Sequence, residues 1–498
     1  MTHDEDEHDH APTTAPPRRT LKSRAGGCAK AVLILVGVLV VAFFAVRWQA
    51  GRMGQRALEK QLAVNDAREP DWRLDAVMEA REKAKPAAEA NDGPAILAVA
   101  DKLPAEWNKW HTGDGAQKWF DKRDPNRLPP LEGVAAARAA VALVPELRAD
   151  ALKLRNDRRA FFPLKVANNP IATLLPHVQK VREVVNVLGT DAQVSALDKN
   201  PNRGIEAARA QLKLARAIGD EPFFVSQLVR CACASAAAQT AQQVLAWAEP
   251  TEGLAELQAE LLAEADTPYF LVGMRGERAT LDRIFTGIAD GTITEDEFFR
   301  FADGRSGPGE RVAFRAYKAL VPADHASCLN LCNQYVDAAK LPHHEQLAAV
   351  RAVPLPHREG FDPRRVGTRL LLPAAERFVE AGLRTRTNLL CAAACVACER
   401  FRLKNGRFPK DLAELVPAFL PAVPVNPFDG KPLTFRAFED RVAIYGWYDN
   451  GQFAREAFPA DFDEGQRKGN PFGSRVWLPK SRALPHPDDE IPPPREKP

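Results

Sequence analysis

Val178 to Ala215 reads VQKVREVVNVLGTDAQVSALDKNPNRGIEAARAQLKLA, and the spacing of its apolar residues decides the fold class. Val178, Val181, Val185 and Leu188 recur at one-face helical spacing, as do Ile205, Ala208, Leu212 and Ala215. A half-buried strand would alternate every second residue instead. Leu254, Leu257, Leu261 and Leu262 repeat the pattern, then Leu281, Ile284, Phe285 and Ile288. Strand-like alternation is nearly absent between residues 133 and 400. Such helices must bury their stripes against one another, so the chain is expected to be mainly α, a large helical bundle or irregular solenoid. No fixed repeat of the common solenoid families is visible.

The composition agrees. The 498 residues are 45% hydrophobic with 30 Gly, which excludes a disordered or collagen-like chain. Lys and Arg total 68 against 65 Asp and Glu, and the net charge of +3 is too small to mark a dedicated nucleic-acid binder.

Ahead of the helical bulk stands one long apolar run, AVLILVGVLVVAFFAV, from Ala31 to Val46. Without a charge, it spans about 24 Å as a helix, and extension over residues 29–48 brings it to the length of a bilayer core. Lys30 and Arg47 can snorkel, and Trp48 suits the interface. A transmembrane helix is therefore expected at 29–48, in contact with lipid. Trp48-Gln49-Ala50 makes a poor cleavage site, and Cys28 precedes the run rather than following it as in a lipoprotein signal. Arg18, Arg19, Lys22, Arg24 and Lys30 precede the run, and Arg47, Arg52, Arg56 and Lys60 follow it. The tail at 1–28 is read as disordered and cytoplasmic, which puts the remainder outside an inner (cytoplasmic) membrane.

Residues 49–400 are expected to form an extracytoplasmic α-helical domain, with breaks at Asp66–Asp71 and Asn91-Asp92-Gly93-Pro94. A loop-rich stretch at 101–132 carries Trp107, Trp110 and Trp119, which can cement a loop to the core or form a sugar-stacking platform. Residues 401–480 change character: a helix stops near Asn405-Gly406, and Leu433–Phe438 and Arg441–Tyr445 read as a hairpin around Glu439-Asp440. That hairpin is too small to stand alone, so it is expected to pack back on a final helix through Phe401, Phe435 and Ile444. The Pro-rich tail at 481–498 is expected to be disordered.

The stretch from Glu399 to Pro409, ERFRLKNGRFP, continued by Asp411-Leu412, Leu415-Val416-Pro417 and Pro424 to Leu433 and Phe435, resembles the head of type II secretion major pseudopilins. The resemblance implies a helix ending in an Asn-Gly turn and leading to a small antiparallel sheet. Similar tails close large membrane-anchored helical proteins of planctomycete type, whose middle part Gly219–Arg230, Leu254–Leu262 and Gly276-Glu277-Arg278-Ala279 also resemble. A prepilin cleavage signal is missing here. Calcium, which pseudopilin heads bind in the final loop, is not carried over, because Asp449 is the one carboxylate in Tyr445–Gly451.

Near-motifs are incomplete. Asp290-Gly291-Thr292-Ile293-Thr294 with Glu297 matches the second half of a calcium loop, but Ile288 stands where a ligand is needed, and Thr294 with Glu297 also spells a capping box. His344-Glu345 lacks the second His of a zincin, because position 348 is Ala. Gly304-Arg305-Ser306-Gly307 lacks the last Gly of a nucleophile elbow. Cys391, Cys395 and Cys398 share a helical face, with Cys328 and Cys332 another such pair, plus Cys231 and Cys233. Their Ala-rich surroundings favour small core residues over zinc ligands or disulfides.

No complete catalytic constellation is present, and no catalytic, cofactor-binding or metal residue is assigned. The expected function is a membrane-anchored structural or interaction protein with an envelope or secretion partner. The alternative is a membrane-tethered enzyme acting on envelope polymers, with Glu277 as general acid or the Trp107/Trp110 region as platform.

Overall fold

The computed structural model describes residues 21–113, 116, 119, 125–154, 159–299, 308–354, 362–372, 375–447 and 471–486. The principal helices are α1 (Leu21–Arg68), α2 (Leu74–Lys83), α3 (Pro176–Leu197), α4 (Pro201–Ile218), α5 (Phe224–Trp247), α6 (Leu254–Ala265), α7 (Tyr269–Asp290), α8 (Pro308–Tyr317), α9 (Val321–Ala339) and α10 (Ala375–Asn405). The chain is mainly helical, with a small three-stranded antiparallel sheet.

The stripes read from the sequence are the core. Val181, Val185, Leu188, Ile205, Ala208, Leu212, Ala215, Leu257 and Leu261 are fully buried where α3, α4, α5 and α6 pack together. A second apolar cluster joins α7 and α9, centred on Phe285, Ile288, Cys328 and Tyr335. α10 links the two clusters. Phe378 to Leu383 lie in the second and Leu389 to Phe401 in the first, along a helix about 46 Å long. Helices therefore close around shared cores as a bundle, and no solenoid stacking is seen among the described residues.

At its C-terminal end α10 stops as expected: Gly406, at φ 73°, takes a left-handed turn that a residue with Cβ resists. β1 (Thr434–Ala437) pairs with β2 (Arg441–Trp447), placing Phe435 opposite Ile444. Ile444 is fully buried, Phe401 is buried, and Phe435 packs against the same core, so the sheet is an appendage fixed to α10. A third strand, β3 (Pro471–Trp477), pairs with β2 and also lies on α10. The hairpin expectation misses it because its own run, Pro471-Phe472-Gly473-Ser474-Arg475-Val476-Trp477, alternates weakly and begins with Pro.

Three expected boundaries are corrected. Residues 21–28, placed in a disordered tail, begin α1, and α1 continues to Arg68 without a break at residue 48 or 49. Residues 481–486, placed in the disordered Pro-rich tail, pack on the bundle. Arg482 is drawn in by the buried carboxylate of Glu399, at 2.8 and 2.9 Å, and by the backbone carbonyl of Trp477. Leu484 bridges backbone-to-backbone with residues 126–128. The rest of that tail, residues 1–20 and the Gly304–Gly307 and Asp449 near-motifs lie outside the described residues.

Candidate membrane-anchoring site

α1 has two chemically distinct halves. In its first half Leu33 to Leu39, Val41, Ala42 and Ala45 are exposed, with Leu33, Ile34 and Val41 at 70%, 68% and 69%. The side chains of Ala31, Val32, Val40, Phe43, Phe44 and Val46 lie outside the described residues. Among the described residues no helix is long and apolar enough to cross a membrane.

The second half is pinned to the domain from Arg47 onward. The Arg47 guanidinium donates to the carbonyls of Arg315 and Ala316 at 3.0 and 3.2 Å, in the last turn of α8. Those carbonyls have no partner within their own helix, and a cation there also meets the negative end of the helix dipole. Trp48 stays exposed, with Arg52 4.8 Å above its ring. One turn on, Gly54 meets the start of α9 so closely that a Cβ would lie 2.9 Å from the Ala323 nitrogen. Only glycine lets the two backbones approach this far.

Beyond the glycine the seat becomes polar. Asn65 is fully buried and accepts from Asn333 of α9, whose own amide oxygen accepts from Arg278 of α7 at 2.9 Å. Arg278 also pairs with Glu69, which receives Arg275 at 2.8 Å and Lys340 at 3.3 Å. Burial pushes the Glu69 carboxyl up, but the hydrogen bonds from Arg275 and Arg278 outweigh it and hold it at about 2. Arg68 grips both carboxylate oxygens of Asp337 at 2.8 and 2.9 Å. Held at both ends of its polar half, α1 points its apolar half away from the bundle in a set direction.

The other candidates resolve differently. Arg278 pairs with Glu69 and Asn333 and not with its sequence neighbour Glu277. Burial raises the Glu277 carboxyl to about 7. Trp107 and Trp119 are each 1% exposed within the first core, so neither offers a ring face to a sugar. The seven cysteines beyond α1's apolar run are free and buried, and burial pushes the thiols of Cys231 and Cys233 up to about 12, so they are core residues. Among the described residues no cluster of His, Cys, Asp and Glu could hold a metal. Thr294 and Glu297 form the capping box: Thr294 N–H donates to Glu297 Oε2 at 2.8 Å, and Glu297 N–H donates to Thr294 Oγ1 at 3.3 Å.

No known family, curated protein or solved structure matches this chain. Sequence reading missed the polar seat, since Asn65, Glu69, Arg278 and Asn333 meet only after folding. Gly54 within an otherwise helical run was the one local signal of a close approach.

Proposed function

We propose that this chain is a single-pass, membrane-anchored structural or interaction protein, with residues 29–48 in the inner membrane and the helical domain outside the cytoplasm. One observation carries the reading: an exposed apolar surface of Leu33 to Leu39 with Val41, on a helix whose next turns are pinned by Arg47 and Gly54. Water-exposed surfaces rarely keep so long an apolar run unless it meets lipid or protein. The basic residues before the run favour a cytoplasmic N-terminus. The pseudopilin resemblance of the sequence from Glu399 to Phe435 is the ground for a partner in the envelope or secretion machinery. The enzymatic alternative draws on Glu277, whose raised carboxyl suits a general acid. It is the weaker reading, because Glu277 is absent from the walls of the cavities at Phe161, at Arg386 and at Trp247.

Carbonate extraction of membranes, with protease protection on intact spheroplasts, tests the anchor. The chain is expected to stay with the membrane and to lose its domain to external protease. Leu35→Arg with Leu39→Arg, at about 3 kcal/mol per buried Arg, is expected to release it. A wild-type chain that washes off, or a domain shielded from protease, overturns the reading.

A further inference from the structure

α1 and α9 run side by side in the same direction: Gly54 meets Ala323, Asn65 meets Asn333 and Arg68 meets Asp337. The end of α8 and the start of α9 therefore flank the foot of the apolar half of α1. Arg47 seats there on the carbonyls of Arg315 and Ala316, and a Cβ at Gly51 would lie 3.7 Å from the Ala319 carbonyl oxygen. The charges of these two segments have one sign. Residues 47–58 carry Arg47, Arg52 and Arg56 and no acid, and residues 314–323 carry Arg315 and Lys318 and no acid.

Arg47, Arg52 and Arg315 gather where the apolar run ends. Among the described residues no carboxylate pairs with any of the three, and Arg52 and Arg315 are exposed. Lys318 differs, because its charge is already felt by Asp290 at the end of α7. Arg52 starts about 9 Å beyond Val46 along the helix, but its guanidinium lies back over the Trp48 ring, 4.8 Å from its centre. Trp48 is about 3 Å past Val46, so this charge stands inside a headgroup layer about 5–7 Å deep. Like charges held together without a carboxylate repel one another, and an anion from outside relieves them.

We propose that Arg47, Arg52 and Arg315 form a basic collar that holds the phosphate of an anionic phospholipid in the leaflet from which α1 emerges, a proposal that rests on the anchor reading above. Guanidinium forks match phosphate oxygens, and each such cation near an anionic bilayer adds to the attraction. A zwitterionic lipid offers the same phosphate, but it also carries a cationic amine that the collar repels. A dissolved phosphate would meet the collar at an open surface, screened by salt. A lipid phosphate is kept there at high local concentration by its own acyl chains. Lys60 is a further exposed cation, two turns beyond Arg52 on the same stripe of α1. It lies about 21 Å past Val46, out of the headgroup layer, and serves as the control.

The test is electron spin resonance of the full chain in phosphatidylcholine bilayers holding a trace of spin-labelled phosphatidylglycerol or spin-labelled phosphatidylcholine. The motionally restricted fraction of each label reports its affinity for the protein. With identical acyl chains, the ratio of the two reads the headgroup alone. Phosphatidylglycerol is expected to be favoured by about threefold or more, and the ratio should fall to about one in Arg52→Gln with Arg315→Gln. Lys60→Gln should leave it unchanged. In the wild-type chain, salt at about 1 M, where the screening length is about 3 Å, should cut the preference, and glycerol phosphate in the buffer should not. Equal restriction of both labels overturns the collar while the anchor stands. A preference that survives the double variant or high salt, that is lost equally in Lys60→Gln, or that glycerol phosphate abolishes also overturns it. Restriction of neither label removes the anchor reading and the collar with it.

Discussion

Two long helices of this bundle accept a distant part of the chain, and they do so by opposite chemistry. α10 receives the C-terminal sheet on a stripe of Cys391, Cys395, Cys398 and intervening alanines, all buried, around one buried carboxylate, Glu399. α9 receives α1 on a glycine contact and a chain of amides and ion pairs from Asn65 to Glu69. The first seat gains its hold from apolar area, with one charge cluster setting where the tail enters. The second gains direction, since hydrogen bonds and forked ion pairs fix an angle that a greasy contact would let slide. A helix that must aim its apolar half away from the domain needs the second kind.

The sharpest way to break this contrast is at the buried carboxylate in the apolar seat. Glu399 is fully buried and answers Arg482 and Arg402, themselves nearly buried. Glu399→Ala leaves the Arg482 guanidinium buried without a carboxylate, while Arg402 keeps Glu249, and chemical denaturation should show a loss of about 3 kcal/mol. Pairing Glu399→Leu with Arg482→Met should recover a large part of that loss, because a well-packed apolar pair replaces the buried charges. A double variant as unstable as the single one would mean that the ion pair, and not the apolar stripe, holds the tail.

The contrast also explains what could be read in advance. The Cys and Ala stripe of α10, its stop at Asn405-Gly406 and the packing of Phe401 and Ile444 follow from helical period and turn chemistry, both local. β3 was illegible because residues 471–477 gain strand character only by pairing with β2. Arg482 gave no local sign that a Pro-rich tail would fold back, since its partner lies 83 positions earlier. The polar seat of α1 is assembled likewise from segments far apart, and charged residues on a helix face read as solvated until a partner is known.

In the polar seat, Asn333→Ala removes the amide that both accepts from Arg278 and donates to Asn65. Asn65 then keeps only Gln61 as donor and Arg278 only Glu69, and the lost hydrogen bonds should lower stability by about 1–2 kcal/mol in the same denaturation experiment. Crosslinking between α1 and α9 should fall at the same time, because the helix loses part of what aims it. Unchanged stability would shift the weight of this seat onto Gly54 and the Glu69 ion pairs.

The smallest effect is set by pH and separates two part-buried carboxylates with opposite signs. Glu69, held at about 2 against an ordinary 4.5, contributes stability that is present above about pH 4.5 and is lost as pH falls toward about 2. Glu277 sits one helix turn from Gly273 on the same helix and is pushed by burial to about 7, with no ion pair among the described residues to offset it. Its folded-state carboxyl is raised, so the protonated form is the one the fold favours, and stability falls as pH rises from about 4.5 to about 7. Glu277→Gln should remove that fall and stabilise the protein at pH 8 by about 1–2 kcal/mol, its half-buried position moderating the full shift. Below about pH 4 the variant and the wild type should coincide, which a merely structural gain from the amide would not produce. If the two curves stay parallel across the whole range, Glu277 is ionised without cost in the fold, and the general-acid alternative loses its single support.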